Sequence, residues 1–263
     1  MLNRNDYRSS HIRSQDASHY DNDVFALGTY DSWIWGQEQE VLESICAGQS
    51  IRTHLDFACG TGRLLTWASK KNFDSVGIDI SQAMLDRARQ RRNLNARLIH
   101  GDLTEANLLA GCKFDLITAF RFFTNAEPQL KDKALSALLP LCSASGALVV
   151  NLHLNPTSLH AVTRLGRRHT GDRPPGLALR AFTPFAEACG WRVSEVQGVG
   201  LLPRSLFKIV GEDVASSLDA LARRTHITDK SVDLILTLRP ASPERARASE
   251  NGSHCEDDRY RPR

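Results

Sequence analysis

Short hydrophobic runs alternate along the chain with longer segments in which apolar residues recur at helical spacing. From residue 53 onward these segments read as strand, helix, strand and helix in turn, which is typical of a parallel sheet covered by helices. The predicted strands are 53–58, 75–80, 96–101, 114–120, 146–153, 191–197 and 232–239. Helices are predicted at 63–71, 82–92 and 128–142, from Thr183 as N-cap and Pro184 to Gly190, and near 212–224. The pattern therefore predicts an α/β fold in which one doubly wound sheet carries seven mostly parallel strands.

The two ends of the chain differ in composition from the segment between them. Residues 1–19 are polar, and residues 240–263 combine proline, charge and small residues with very little apolar content. Neither end can bury enough apolar surface to offset the entropy of ordering, so both are predicted to be disordered tails. The intervening segment, 20–239, is predicted to form one domain that begins with an aromatic-rich helical segment at 20–48.

Charge and cysteine content argue against several classes of protein. The chain has 33 basic and 30 acidic side chains and a net charge of +3, which is too balanced to indicate nucleic acid as a partner. Its six cysteines form no C-x-x-C pair and have no histidines at finger-like spacing, so neither a metal site nor a disulfide framework is predicted. The chain shows no signal-peptide pattern and no run of eighteen apolar residues, so we expect it to be cytoplasmic.

Two glycines lie in the connection between the first predicted strand and the next helix, in the stretch HLDFACGTGRLLTW at 54–67. A dinucleotide-binding fingerprint, G-x-G-x-x-G, needs a third glycine for close packing of the helix on the sheet, and Leu65 stands there instead. Asp79 ends the second strand, where a carboxylate can accept hydrogen bonds from both hydroxyls of a ribose. Leu65, in place of the third glycine, argues against an NAD(P)-dependent oxidoreductase. Because a ribose-binding carboxylate fits that class of enzyme too, it stays open as an alternative function.

Residues 53–153 resemble the class I S-adenosylmethionine-dependent methyltransferases. Motif I of that family, acidic-x-Gly-x-Gly-x-Gly, is matched by DFACGTG at 56–62, with Ala58 at the position of the first glycine. The stretch IHGDL resembles the family segment whose acidic residue, here Asp102, meets the adenine amino group. FDLITAF and GALVVNL follow in the order of the family's fourth and fifth strands. The resemblance implies a Rossmann-like fold and methyl transfer from S-adenosyl-L-methionine.

The resemblance also implies a set of contacts to the cofactor. The glycine turn would press against the methionyl part while Asp56 orients its ammonium group, and Leu103 and Met84 would flank the adenine. The aromatic residues of 20–48, Trp33 among them, resemble a helical lid whose rings face the sulfonium cation. The complete predicted set is Tyr20, Tyr30, Trp35, Asp56, Ala58, Gly60, Gly62, Asp79, Ile80, Met84, Gly101, Asp102, Leu103, Ala119 and Phe120.

The acceptor side of the predicted site depends on fewer residues. Arg121 and Asn125, after the fourth strand, and Arg167, in an acceptor-side insertion at 156–190, are predicted to bind the acceptor, so an anionic acceptor is one hypothesis. His153 follows the fifth strand and is the candidate general base. The loop FRFFTN lacks the Asp/Asn-Pro-Pro-Tyr/Phe tetrapeptide with which relatives grip nucleobases or glutamine. We expect a small-molecule or glycan-like acceptor methylated at oxygen or nitrogen; a non-catalytic S-adenosylmethionine-binding regulatory protein is the remaining alternative.

Overall fold

A computed structural model describes residues 28–162, 176–225 and 227–241, and its centre is a seven-stranded sheet. The strands are β1 (Thr53–Phe57), β2 (Asp74–Asp79), β3 (Arg97–His100), β4 (Phe114–Ala119), β5 (Cys142–Leu152), β6 (Trp191–Val199) and β7 (Asp233–Pro240). Their order across the sheet is β3-β2-β1-β4-β5-β7-β6, and β7 alone runs antiparallel to its neighbours. The predicted doubly wound α/β fold is confirmed. The order reverses between β3-β2-β1 and β4-β5, where open α/β sheets bind ligands at the carboxyl ends of their strands.

Helices cover both faces of the sheet. They are α1 (Tyr30–Cys46), α2 (Arg63–Lys70), α3 (Gln82–Arg89), α4 (Pro128–Leu138), α5 (Leu159–Val162), α6 (Leu179–Ala188), α7 (Arg204–Val210) and α8 (Glu212–Arg223). Short 3-10 turns occur at Leu139–Leu141 and Thr228–Lys230. Helix α1 confirms the helical character predicted within 20–48, while the first eight residues of that segment and the predicted tail 1–19 lie outside the described residues. Of the predicted tail 240–263, Pro240 is the last residue of β7, and residues 242–263 lie outside the described residues.

The two faces of the sheet differ in polarity. Successive side chains of a strand point to opposite faces. One face is apolar and packs against α4 and α6, with Leu55, Ile117 and Val150 among its buried residues. The other face packs against α1, α2 and α8, and its strands place polar side chains beside Leu116, Val149 and Ile235. These buried polar residues are His54, Asp56, Thr118, Asn151 and Asp233. Polar chemistry is therefore concentrated under α1 and α2.

The predicted start of the sixth helix was wrong. Helix α6 begins at Leu179, so Thr183 and Pro184 lie inside it instead of at its N-cap and first turn. The hydroxyl of Thr183 donates to the carbonyl of Leu179, 3.0 Å away, as an internal helical serine or threonine does. Burial of Phe182 and Ala186 on the same face of the helix helps to offset the hydrogen bond that Pro184 cannot donate. Helix α7 was not predicted at all.

Within the three described ranges, no helix combines the length and the apolar character needed to cross a membrane.

Candidate cofactor and acceptor site

The connection from β1 to α2 is a turn with three residues in the left-handed backbone region. Ala58 has φ +56°, Gly60 +53° and Gly62 +77°. A Cβ on Gly60 would meet no described atom within 4 Å, whereas a Cβ on Gly62 would lie 3.0 Å from the Cβ of Ala88 on α3. Gly62 is thus needed both for its backbone conformation and for the close approach of α3. Gly60 is needed only for its conformation, and the space beside it is open.

Ala58 occupies a backbone conformation that costs a residue with a Cβ roughly 1–2 kcal/mol. We therefore expect Ala58→Gly to raise the free energy of unfolding by about 0.5–1 kcal/mol, after the greater chain entropy of glycine is subtracted. Gly60→Ala introduces the same strain without a clash, so it should lower the free energy of unfolding by about 1 kcal/mol. Urea unfolding of both variants measures these changes, and a destabilised Ala58→Gly protein would contradict the strain argument.

Close packing of α2 on the sheet is achieved without the third glycine of a dinucleotide fingerprint. Leu65 is fully buried, and it packs over Gly77 of β2. A Cβ on Gly77 would lie 2.4 Å from Cδ1 of Leu65 and 3.0 Å from Sγ of Cys59. The glycine that permits the close approach is therefore on the strand, and the bulky side chain is on the helix. This arrangement explains how α2 can pack closely on the sheet although Leu65 stands where a dinucleotide fingerprint has its third glycine.

Asp79 connects the end of β2 to the glycine turn. One carboxylate oxygen accepts from the backbone amide of Gly60 at 2.8 Å, and the other accepts from the amide of Ser81 at 2.8 Å. These bonds fix the orientation of the carboxylate at the carboxyl end of the strand. A carboxylate held in this way at the end of a parallel strand is of the chemical type that accepts hydrogen bonds from ribose hydroxyls.

The end of β3 lies directly beside the end of β2. The amide of Gly101 donates to the carbonyl of Asp79 at 3.0 Å, and Asp102 follows. Its Oδ1 accepts from the amide and the hydroxyl of Thr104, at 2.8 and 2.7 Å, which holds that carboxylate in place. The structure thus brings Gly60, Asp79 and Asp102 together at one edge of the sheet. Of the other predicted cofactor residues, Met84, Leu103, Ala119 and Phe120 are buried, and Ile80 is half-buried.

Asp56 lies beneath the glycine turn, fully enclosed by protein. It accepts a hydrogen bond from the hydroxyl of Thr118 at 2.7 Å, and Nε2 of His54 lies 2.9 Å from that same hydroxyl. Burial raises the pKa of Asp56 to about 7, since the Thr118 hydrogen bond only partly offsets the loss of water. Burial also lowers the pKa of His54 to about 3, so that histidine is neutral. Asp56 is therefore an acid poised to change charge near neutral pH.

The aromatic residues of α1 have partners on two different sides. The Tyr30 hydroxyl donates to the carbonyl of Leu202 at 2.7 Å, and the rings of Tyr30 and Trp33 pack on Phe207 of α7. The ring of Trp35 instead lies under the guanidinium of Arg63, 4.3 Å from its centroid. Only Trp35 is thereby linked to the glycine turn, because Arg63 is the first residue of α2. Tyr20 lies outside the described residues, and the lid remains a prediction.

Arg121 lies two residues after β4 in a left-handed conformation and is held by two acidic side chains. Its Nη2 lies 3.0 Å from Oε1 of Glu38 on α1 and 3.2 Å from Oδ2 of Asp233 at the start of β7. Its backbone has φ +62°, and the side-chain amide of Asn125 donates to its carbonyl at 2.8 Å. The positive charge of Arg121 is thus matched within the protein, and Asn125 supports the turn. Arg167 lies outside the described residues.

Glu38 and Asn151 were not predicted as site residues. Both are fully buried, and Nδ2 of Asn151 donates to Oε1 of Glu38 at 2.8 Å and to Oδ2 of Asp233 at 3.3 Å. Glu38 lies on the inward stripe of α1 between Ile34 and Leu42. A glutamate at a position whose helical neighbours are apolar was the signal that could have revealed this cluster.

His153 follows β5 on the same face as Asn151, two residues earlier. It is buried, and its Nδ1 has no hydrogen-bond partner among the described residues. Burial, reinforced by the nearby charge of Arg121, lowers the pKa of His153 to about 3. The imidazole is therefore neutral and only weakly basic at physiological pH. Its role as general base stays a prediction, which this low pKa disfavours.

Comparison with known proteins supports the class that this fold and site define. Residues 55–146 match the model of a family described as methyltransferase domain. The matched segment contains the glycine turn, the ends of β2 and β3, and β4. This segment is therefore similar to a methyltransferase domain, in agreement with the predicted resemblance to the class I S-adenosylmethionine-dependent methyltransferases. No curated protein matches the sequence.

Solved structures of methyltransferases share the fold at low sequence identity. Magnesium protoporphyrin IX methyltransferase from Synechocystis PCC 6803, solved with bound S-adenosylhomocysteine, is 15% identical with a TM-score of 0.56, covering 89% of this chain and 97% of that chain. The CcbJ methyltransferase from Streptomyces caelestis is 15% identical with a TM-score of 0.60, covering 88% and 98%. A methyltransferase from Clostridium acetobutylicum is 15% identical with a TM-score of 0.59, covering 87% and 98%.

Proposed function

We propose that this chain transfers the methyl group of S-adenosyl-L-methionine to a small-molecule or glycan-like acceptor, at oxygen or nitrogen. The observation that carries the proposal is the hydrogen-bonded junction of three strand ends, in which Gly60 and Gly101 both bond to Asp79. This junction fits the cofactor, because open space lies beside Gly60 and the Asp79 carboxylate is already oriented. Asp79 would hold the ribose, Asp102 the adenine, and the glycine turn the methionyl part.

When bound, S-adenosylmethionine supplies an activated methyl group on a sulfonium, so the protein's main task is to align the acceptor with it. Alignment of this kind contributes on the order of 7–11 kcal/mol to catalysis. Arg121 follows β4, which lies beside the strand that leads into the glycine turn, and Asn151 lies near the end of β5. Glu38 on α1 accepts hydrogen bonds from both side chains. We assign them to the acceptor side. Because Arg121 is already paired with two carboxylates, it gives no support to an anionic acceptor.

Isothermal titration of the full chain tests the cofactor part of this proposal. We expect S-adenosylmethionine and S-adenosylhomocysteine to bind with micromolar dissociation constants and NAD to show no binding in the same range. Binding of NAD alone would instead favour the oxidoreductase alternative. Transfer of labelled methyl groups to small molecules in cell extracts tests the activity. Tight donor binding with no transfer to any fraction would support the regulatory alternative.

A further inference from the structure

We propose that the methyl acceptor presents an amine to a buried carboxylate and amide site formed by Glu38, Asn151 and Asp233. This inference rests on the proposed function, since it concerns the acceptor of the same reaction. The three side chains come from α1, the end of β5 and the start of β7, and Arg121 joins them from the end of β4. We call these four residues the acidic cluster. Arg63, which directly follows the glycine turn, is near enough to influence Glu38, so we place the cluster on the acceptor side of the cofactor.

The acidic cluster carries more negative than positive charge. Within the part of the chain that the structure describes, Glu38 and Asp233 both form ion pairs with the guanidinium of Arg121. A second arginine, Arg63, is near enough to influence Glu38, but its charge is shared with Asp56. Two carboxylates therefore share the guanidinium of Arg121. A buried excess of negative charge is costly without a compensating cation, so the site favours a ligand that brings positive charge or strong hydrogen-bond donors.

Two buried acceptor atoms of the cluster lack donors. Oε2 of Glu38 and Oδ1 of Asn151 have no hydrogen-bond partner among the described residues, although neither side chain is exposed to solvent. The other polar atoms of these two groups bond to each other at 2.8 Å, so the two unpartnered oxygens belong to one small region. Nδ1 of His153, on the same face of the sheet, is a third buried atom without a partner there. Buried polar atoms normally find partners, so the two unpartnered oxygens of Glu38 and Asn151 indicate a place where a ligand can supply hydrogen-bond donors.

An amine meets this demand better than a hydroxyl or an anion. A protonated primary amine offers three N–H donors and a positive charge, whereas a neutral hydroxyl offers one donor and no charge. A carboxylate or phosphate offers only acceptors, which would face the unpartnered oxygens of Glu38 and Asn151. The anionic acceptor considered from the sequence relied on Arg121 and Arg167. The first is paired with Glu38 and Asp233, and the second lies outside the described residues.

The site can also remove the proton that blocks an ammonium from reacting. Burial raises the pKa of Glu38, opposed by the charges of Arg121 and Arg63, so its carboxylate is a stronger base than an exposed one. One N–H proton of the bound ammonium passes to Oε2 of Glu38. The freed lone pair on nitrogen then forms a bond to the methyl carbon as the carbon–sulfur bond breaks, and its electron pair stays on sulfur. The products are a methylated ammonium and neutral thioether S-adenosylhomocysteine.

The test uses the full chain saturated with S-adenosylhomocysteine and a panel of small probes. The probes are methylamine, ethylamine and benzylamine, with the alcohol and the carboxylate of each skeleton, titrated by calorimetry. We expect at least one amine to bind tenfold or more tightly than its matched alcohol, and the carboxylates to bind most weakly. Glu38→Gln places an N–H donor where Oε2 stood, so this variant should lose the tenfold preference. Glu43→Gln, on the exposed side of the same helix, should keep it.

Each result decides between the alternatives. Failure of S-adenosylhomocysteine to bind the unaltered chain would count against the proposed function itself. Normal binding of S-adenosylhomocysteine with no preference for amines, or with no binding of any probe at millimolar concentration, would overturn the amine site alone. If Glu38→Gln keeps the preference and only lowers the unfolding temperature, the acidic cluster serves to fasten α1 to the sheet and the inference is wrong.

Discussion

Asp79→Ala should weaken the binding of S-adenosylmethionine at least a hundredfold. In the proposed site this carboxylate accepts hydrogen bonds from both ribose hydroxyls, and bonds to a charged group contribute about 1.5–3 kcal/mol each. The substitution also removes the acceptors of the Gly60 and Ser81 amides, so the glycine turn loses its attachment to β2. Two lost bonds correspond to about 3–6 kcal/mol, and each 1.4 kcal/mol is a tenfold change in the dissociation constant. Titration calorimetry measures this change directly.

A matched variant separates the ribose contact from a general loss of acidic charge. Asp86 lies seven residues later on the exposed side of α3, where it pairs with Arg89. An exposed pair of this kind contributes about 0–1 kcal/mol to stability, so Asp86→Ala should bind the cofactor as the unaltered chain does. Asp79→Asn keeps one acceptor oxygen, so its affinity for the cofactor should lie between those of Asp79→Ala and Asp86→Ala. Unchanged cofactor affinity in a folded Asp79→Ala protein would exclude the ribose role of Asp79.

The residues that connect strand ends were the part of the site that could be predicted from sequence. Gly60, Gly62, Asp79 and Asp102 directly follow or end hydrophobic runs, and the parallel arrangement of those runs brings their carboxyl ends to one edge. Local pattern and fold therefore specify the same positions. The bounds of β1 to β4 differ from the predicted ones by at most one residue for the same reason, because each strand is a short apolar run between turn signals.

The acidic cluster could not be predicted in the same way. Glu38 and Asp233 are almost two hundred residues apart in the chain, and neither belongs to a local motif. Asn151 lies within the hydrophobic run GALVVNL, where a single polar residue gives no indication of its partner. Their contact depends on how α1 packs across β5 and β7, and a one-residue change in register would break it. Long-range packing of this kind is not encoded in periodicity.

Helix α6 shows a different limit of pattern reasoning. The pair Thr183 and Pro184 is a favourable start signal, but the helix begins four residues earlier, at Leu179. Phe182 precedes the supposed cap, and it is almost completely buried beside Phe123. Burying an aromatic side chain contributes about 1.5–3 kcal/mol, which is comparable with the hydrogen bond and the steric fit lost by placing proline inside a helix. Tertiary packing therefore decides where this helix starts.

Asp56→Asn should stabilise the cofactor-free protein at alkaline pH while weakening its binding of S-adenosylmethionine. The pKa of Asp56 is raised from 3.8 to about 7 by burial. Between those two values the unfolded chain releases its proton and the folded protein keeps it, so the free energy of unfolding falls as pH rises from about 4 to 7. The free energy of unfolding that is lost over this pH range is roughly 4 kcal/mol. Asparagine does not titrate and can still accept from Thr118, so the variant should be more stable by about 3 kcal/mol at pH 8, with no such advantage at pH 4.

Urea unfolding at pH 4, 6 and 8 measures this pH dependence. Asp115→Asn is the control, because its effect on the free energy of unfolding should change with pH in the opposite direction. Burial acts to raise the pKa of Asp115, but hydrogen bonds from the amides of Arg52 and Thr53 outweigh it, so its pKa is lowered. The Asp115 variant should therefore lose stability at pH 8 and lose less at pH 4. Parallel unfolding curves for Asp56→Asn and the unaltered chain at all three pH values would show that Asp56 is ionised in the folded state. In that case the buried acid beneath the glycine turn would already carry the charge that the cofactor's ammonium group needs, and cofactor binding should not change with pH around 7.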